Sequence, residues 1–186
     1  IKSTSKATGV TTAPHYDYSK LGETWSAPRI FRLPTNGRTD TNLADDRYVA
    51  VMGGGYGTQF EGVGNALFVV DLEDNITPGS VEKVIDIEDS VESNIVNSTP
   101  GTPVVVTPDT TRGLNFRGAL VYLNDFEGKI TKFNLTNMAL DSSDVNTAKR
   151  IDLYDNTTLF WAESTKQNGR YMYHSMDAAI GQTTNN

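Results

Sequence analysis

Oxygen-bearing side chains alternate along Asp40-Thr41-Asn42-Leu43-Ala44-Asp45-Asp46, the pattern by which acidic and amide loops wrap a hard cation such as calcium. Asp40, Asn42 and Asp46 hold the alternating places and are the candidate metal ligands. Ala44 fills one ligand place, and the glycine and distal glutamate of a complete loop are missing, so an ordinary solvated loop is the competing reading. Asp141-Ser142-Ser143-Asp144-Val145-Asn146 is a second oxygen-rich loop, incomplete in the same way.

Gly53-Gly54-Gly55-Tyr56-Gly57 invites comparison with a phosphate loop. Such a loop must open a helix whose first amides hold the anion, and a Walker loop adds Lys-Ser/Thr. Here Thr58-Gln59-Phe60-Glu61-Gly62-Val63-Gly64 follows and then a strand pattern, so these glycines are read as tight turns near a crowded centre. His15 and His174 are the only histidines. Ser175, His174 and Asp177 make a hydrolytic set only on paper, because neighbours on a strand point to opposite faces. The absence of cysteine removes disulfides, thiolate zinc sites, iron–sulfur centres and cysteine nucleophiles. The chain therefore reads as non-enzymatic, with no cofactor expected apart from calcium at the first loop.

Tyr16, Tyr18, Trp25, Tyr56, Tyr171 and Tyr173 sit in or beside loops, where exposed rings suit sugar or protein contact and buried ones are packing. Trp25, which opens a strand pattern, is assigned to the core. Asn75, Asn97, Asn134 and Asn156 head Asn-x-Thr/Ser triplets, which matter only in a glycosylating host.

Sixteen basic against 23 acidic side chains give a net charge of −7, and no Lys/Arg cluster reverses it locally, which argues against nucleic-acid binding. Asp71 to Glu92 holds eight acids against Lys83 alone and is read as a wet sheet edge. No apolar run reaches the about 18 residues that a membrane-spanning helix requires. Ile1-Lys2-Ser3-Thr4 has neither an initiator Met nor a signal-peptide core, which suggests a processed chain or an internal fragment.

The elements that must position these residues are strands. An apolar fraction of 37% with 16 glycines fits short strands and long polar loops within one core-forming domain. Arg47–Met52, Asn65–Leu72 and Val81–Ile87 are β-branched or aromatic runs too short for a helical repeat. Thr24–Phe31 carries Pro28 and so belongs at an edge or at the start of an inner strand. The order then comes round again. Thr99–Val106, Gly118–Asp125 and Gly128–Leu135 echo the earlier strands, with matching positions roughly 63 to 75 apart. Lys149–Leu153 and Thr158–Ala162 could supply a fourth strand through a hairpin at Asp155-Asn156, and Tyr171–Asp177 would begin a third round.

Four short strands per repeat read as propeller blades. The expected fold is all-β, a partial β-propeller of about two and a half four-stranded blades from a larger ring. The divisions are 1–20 as a loop or extended tail, 21–95 and 96–165 as two blades, and 166–186 as the start of a third. Too few blades are present to close a ring, so the remaining blades of a parent chain or a completing subunit are the implied partners. A β-sandwich is the alternative.

Three segments resemble the carboxy-terminal propeller of type IV pilus tip-associated adhesins and pilus biogenesis factors. They are Thr24-Trp25-Ser26-Ala27-Pro28, Tyr48–Gly57 running on to Gly64–Asp71, and Arg117–Leu135 with its Asp125-Phe126-Glu127-Gly128 hairpin. The resemblance implies an extracellular or cell-surface bacterial protein that adheres to a host or surface ligand and supports pilus assembly and retraction, with pilins as partners. The calcium loop of that family has its nearest counterpart in Thr107–Arg112, which keeps only Asp109. Quinone-dependent dehydrogenases share the hairpin, but Asp71–Asn75 lacks their Thr-Gly. A carbohydrate- or protein-binding β-domain without any pilus association is the alternative function.

Overall fold

The computed structural model describes residues 16–33, 47–57, 62–73, 78–87, 97–107, 118–135, 155–164 and 167–179. Their regular elements are eight strands: β1 (Arg29–Leu33), β2 (Arg47–Gly53), β3 (Ala66–Asp71), β4 (Val81–Asp86), β5 (Val104–Val106), β6 (Leu120–Asn124), β7 (Lys129–Asn134) and β8 (Asp155–Trp161). They form two antiparallel four-stranded sheets, each in simple chain order, β1-β2-β3-β4 and β5-β6-β7-β8.

Alternation along the strands decides which residues meet. In the first sheet Val49, Val51, Leu67, Val69 and Ile85 point to one face. In the second, Val121, Leu123 and Phe133 do the same. These residues belong to one continuous buried cluster, completed by Phe31, Leu33, Ile87, Ala119 and Leu135. The two inner faces thus exclude water from a single shared core, which is the arrangement of a β-sandwich.

The partial-propeller expectation is corrected by this finding. Neither sheet closes or curls into a ring, and each is matched through its inner face by the other. The third repeat is also absent as a strand: Tyr171–Asp177 runs as irregular chain. Asp155 and Asn156 lie inside β8 rather than at a hairpin turn.

The outer face of the first sheet makes a second cluster of Ala50, Ala66, Phe68 and Val70, with Met52, Val81 and Val84 beside it. Tyr18 and Leu21 pack over it from the segment preceding β1. The Tyr18 ring stacks on Phe68 at 5.9 Å, and its hydroxyl donates to the Gly79 carbonyl at 2.6 Å. Burial raises the Tyr18 pKa, with a smaller contribution from nearby Tyr16. Pro28 stands just before β1, an edge strand, where its missing N–H costs no ladder bond.

The core placement of Trp25 is corrected. Its side chain is 63% exposed. The strand begins only at Arg29, and in the extended approach to it the inward position goes to Ser26, whose hydroxyl accepts from the Gly53 amide at 3.0 Å. Asp71 likewise is no wet-edge residue. It lies on inner strand β3, is 1% exposed and pairs with Arg47 at 3.0 Å. Glu82 and Asp86, on edge strand β4, are exposed.

Candidate functional site

The connection between the sheets meets the β6–β7 hairpin through Asn97 and Ser98. Asp125, the first residue of the hairpin, closes it with its own backbone and side chain. Its amide donates to the Lys129 carbonyl at 3.0 Å, and its carbonyl accepts from Gly128 at 3.1 Å. Its Oδ1 accepts from the Lys129 amide at 3.0 Å. Gly128 has φ +73°, and a Cβ there would come within 2.6 Å of the Arg170 carbonyl, so both backbone and space require glycine.

Beneath the hairpin lies a buried polar knot. Asn97 Nδ2 donates to Asp125 Oδ2 at 3.1 Å and to Glu127 Oε2 at 2.7 Å. Lys129 Nζ donates to the Ile87 carbonyl at 2.8 Å and stands 3.8 Å from Asp125 Oδ2. All four side chains are buried. Desolvation pushes the Asp125 pKa up, partly offset by the hydrogen bond from Asn97 and by Lys129. With its hydrogen bonds directed to neighbours in the fold, the knot is built to join sheets.

The neighbouring residues continue the join. The Phe126 amide donates to the Ser98 carbonyl at 3.0 Å. Ser98 Oγ bonds both the amide and the carbonyl of Gly57 at 3.2 Å. Thr99 exchanges backbone bonds with Gly55, and its hydroxyl accepts from the Gly54 amide at 2.8 Å. The glycine run is therefore a docking groove for residues 97–101. Gly55 at φ +93° and Gly64 at φ +88° let the chain turn around it. It opens no helix.

Above the knot the hairpin tip raises Phe126 into a group of tyrosines. Its ring centroid is 5.1 Å from Tyr173, 5.8 Å from Tyr56 and 6.5 Å from Tyr171, at interplanar angles of 66°, 52° and 60°. Tyr171 and Tyr173 lie 6.2 Å apart. The three tyrosines are exposed, and their hydroxyls make no hydrogen bond among the described residues. The segment bearing Tyr171 and Tyr173 is strapped down by Asn124 Nδ2, which donates to the Met172 carbonyl at 3.3 Å. It is held also by Ser175 Oγ, which accepts from the Thr102 amide at 3.0 Å.

The candidate calcium ligands Asp40, Asn42 and Asp46 lie outside the described residues, as does the loop at 141–146. Among the described residues no group of three or more His, Asp or Glu side chains is placed to hold a metal ion. Ser175 and Asp177 bond backbone amides, at Thr102 and Ala178, and not His174. Among the tyrosines singled out from sequence, the fold brings Tyr56, Tyr171 and Tyr173 together and sends Tyr18 to a packing role. Sequence reasoning missed Phe126, the hub of the patch, and Asn97, the hub of the knot.

No family model, curated protein or solved structure matches this chain. Among the described residues, no helix is long and apolar enough to cross a membrane.

Proposed function

We propose that this chain is a non-enzymatic binding β-domain and that the Tyr56–Phe126–Tyr171–Tyr173 patch is its contact surface. The observation that carries this reading is the convergence of three exposed tyrosines, from two separate parts of the chain, on one hairpin-tip phenylalanine. Tyrosines supply large contact area at small entropic cost, and free hydroxyls add hydrogen bonds to a partner. Of the two ligand classes that exposed rings suit, protein is favoured over carbohydrate. The rings are tilted to one another and offer no coplanar platform for a sugar. The nearby acid pair Asp125 and Glu127 is buried below the hairpin, away from any sugar hydroxyl.

The test screens the 186-residue chain against a displayed peptide library and a glycan array, then repeats each hit with Tyr56→Ala and Tyr173→Ala. Peptide binding weakened at least tenfold by either change, with unfolding midpoints unmoved, is the expected result. Glycan hits that depend on the same tyrosines would transfer the site to carbohydrate. Hits that ignore both substitutions would show that the patch is not the contact surface.

A further inference from the structure

A short backbone bridge places a carboxylate next to the tyrosine patch. The Glu23 amide donates to the Tyr56 carbonyl at 2.7 Å, and the Tyr56 amide donates to the Glu23 carbonyl at 2.8 Å, an antiparallel pair. Residues directly opposed in such a pair put their side chains on the same face. Glu23 therefore stands beside Tyr56, whose ring is 5.8 Å from that of Phe126. Both Glu23 and Tyr56 are exposed. No described residue makes an ion pair or a side-chain hydrogen bond with the Glu23 carboxylate.

The chain after Glu23 extends the same face. Thr24 and Ser26 turn inward to the Gly53 backbone, the first donating to its carbonyl at 3.2 Å and the second accepting from its amide at 3.0 Å. Alternation then puts Trp25 outward with Glu23, where it is the most exposed tryptophan of the chain. The Glu23 carboxylate thus has Trp25 beside it along the chain and Tyr56 across the bridge, with Tyr171 and Tyr173 beyond Phe126. Arg170 precedes Tyr171, but its Nη1 donates to the Ala162 carbonyl at 2.6 Å, just past β8.

We propose that Glu23, Trp25 and the tyrosine patch together receive an arginine side chain of a partner polypeptide. The inference rests on the patch being the contact surface and names the chemistry of what it contacts. Charge complementarity selects the occupant. The faces of tyrosine and tryptophan rings carry negative potential and attract cations, and the one carboxylate beside them has the same preference. A guanidinium lies flat against a ring and still presents paired N–H groups to a carboxylate, a geometry that a lysine ammonium does not match. The net charge of −7 adds long-range attraction for a basic segment. An acidic segment would meet the Glu23 charge, and a purely apolar one would leave that carboxylate to be covered without a partner.

Fluorescence anisotropy with a labelled Gly-Ser peptide carrying spaced arginines tests this, against a twin in which citrulline keeps the side-chain shape and removes the charge. The 186-residue chain should bind the arginine peptide at least about tenfold more tightly than its twin. Glu23→Gln keeps the backbone bridge and should weaken the arginine peptide about fivefold while leaving the citrulline twin unchanged. Added salt should weaken the wild-type chain more than Glu23→Gln. Glu23 is exposed, and a circular dichroism melt shows that the variant is folded. Equal binding of the two peptides, an arginine peptide indifferent to Glu23→Gln, or no binding of it at all would each overturn the proposal. Library peptides that need Tyr56 and Tyr173 but neither arginine nor Glu23 would overturn it and leave the tyrosine contact surface standing. Arginine-peptide binding that ignores Tyr56→Ala and Tyr173→Ala would overturn both, as diffuse attraction to an acidic chain.

Discussion

Both sheets are four-stranded meanders sharing one core, yet their outer faces are finished differently. On the first, Phe68 is wholly buried because Tyr18 and Leu21 lie over it. On the second, Tyr122 and Ile130 stay half-buried and Phe160 is exposed. A strand pattern alone does not reveal this difference. Ala66-Leu67-Phe68-Val69-Val70 and Leu120-Val121-Tyr122-Leu123 are both nearly continuous apolar runs, as expected of strands covered on two faces. What separates them is a cover supplied from elsewhere in the chain. In these terms the first sheet is stability and the second is surface.

Substitutions on the two outer faces test that contrast. Phe68→Ala should cost about 3–5 kcal/mol in urea unfolding, the usual loss for a buried phenylalanine, whereas Tyr122→Ala should cost about 1 kcal/mol or less. Equal losses would mean that the second outer face is covered as fully as the first.

The next largest effect is at the knot that joins the sheets. Asn97→Ala leaves two buried carboxylates without their shared donor and should cost about 2–3 kcal/mol. It should also change the pH dependence. Asp125 is already held above its ordinary value of 3.8, mainly by burial. The folded protein thus binds that proton more tightly than the unfolded chain. This contribution is fully present below the unfolded value and is lost as pH rises through the raised folded value. Asn97 favours the charged form, so removing it lifts Asp125 further and extends the loss to higher pH. Unfolding midpoints of both proteins, taken between about pH 3 and pH 8, should diverge as the pH is raised. Parallel curves would show that Asp125 does not titrate against Asn97.

The smallest effect is at the cover itself. Tyr18→Phe keeps the stack on Phe68 and removes only the bond to Gly79, for a loss of about 1 kcal/mol. A loss as large as that of Phe68→Ala would mean that the cover is held by its hydroxyl and not by its ring.

Much of the local structure was legible in the sequence. Arg47–Met52 and Asn65–Leu72 are β-branched and aromatic, and β2 and β3 lie within a residue of those limits. The twofold recurrence of strands was also legible, because each sheet is a chain-order meander. How the sheets meet was not. A blade and half of a sandwich have the same alternation, and the choice rests on which side chains share a core at long range. Trp25 was misplaced because a large apolar side chain at a strand-like opening outweighed the small Ser26 that the backbone turns inward. The candidate site was half legible. Tyr56, Tyr171 and Tyr173 stood out by type, but nothing local announced that Phe126 would gather them. Asn97 read only as the head of an Asn-Ser-Thr triplet. Its two carboxylate partners lie 28 and 30 positions away.

The two sheets share one core and so should fold as one unit. Amide hydrogen exchange, read residue by residue, tests this most directly. Val69 in β3 and Val121 in β6 should exchange with the same opening free energy, and Asn97→Ala should lower both together. Exchange of Val121 through an opening that leaves Val69 protected would contradict the shared core and divide the chain into two independent sheets.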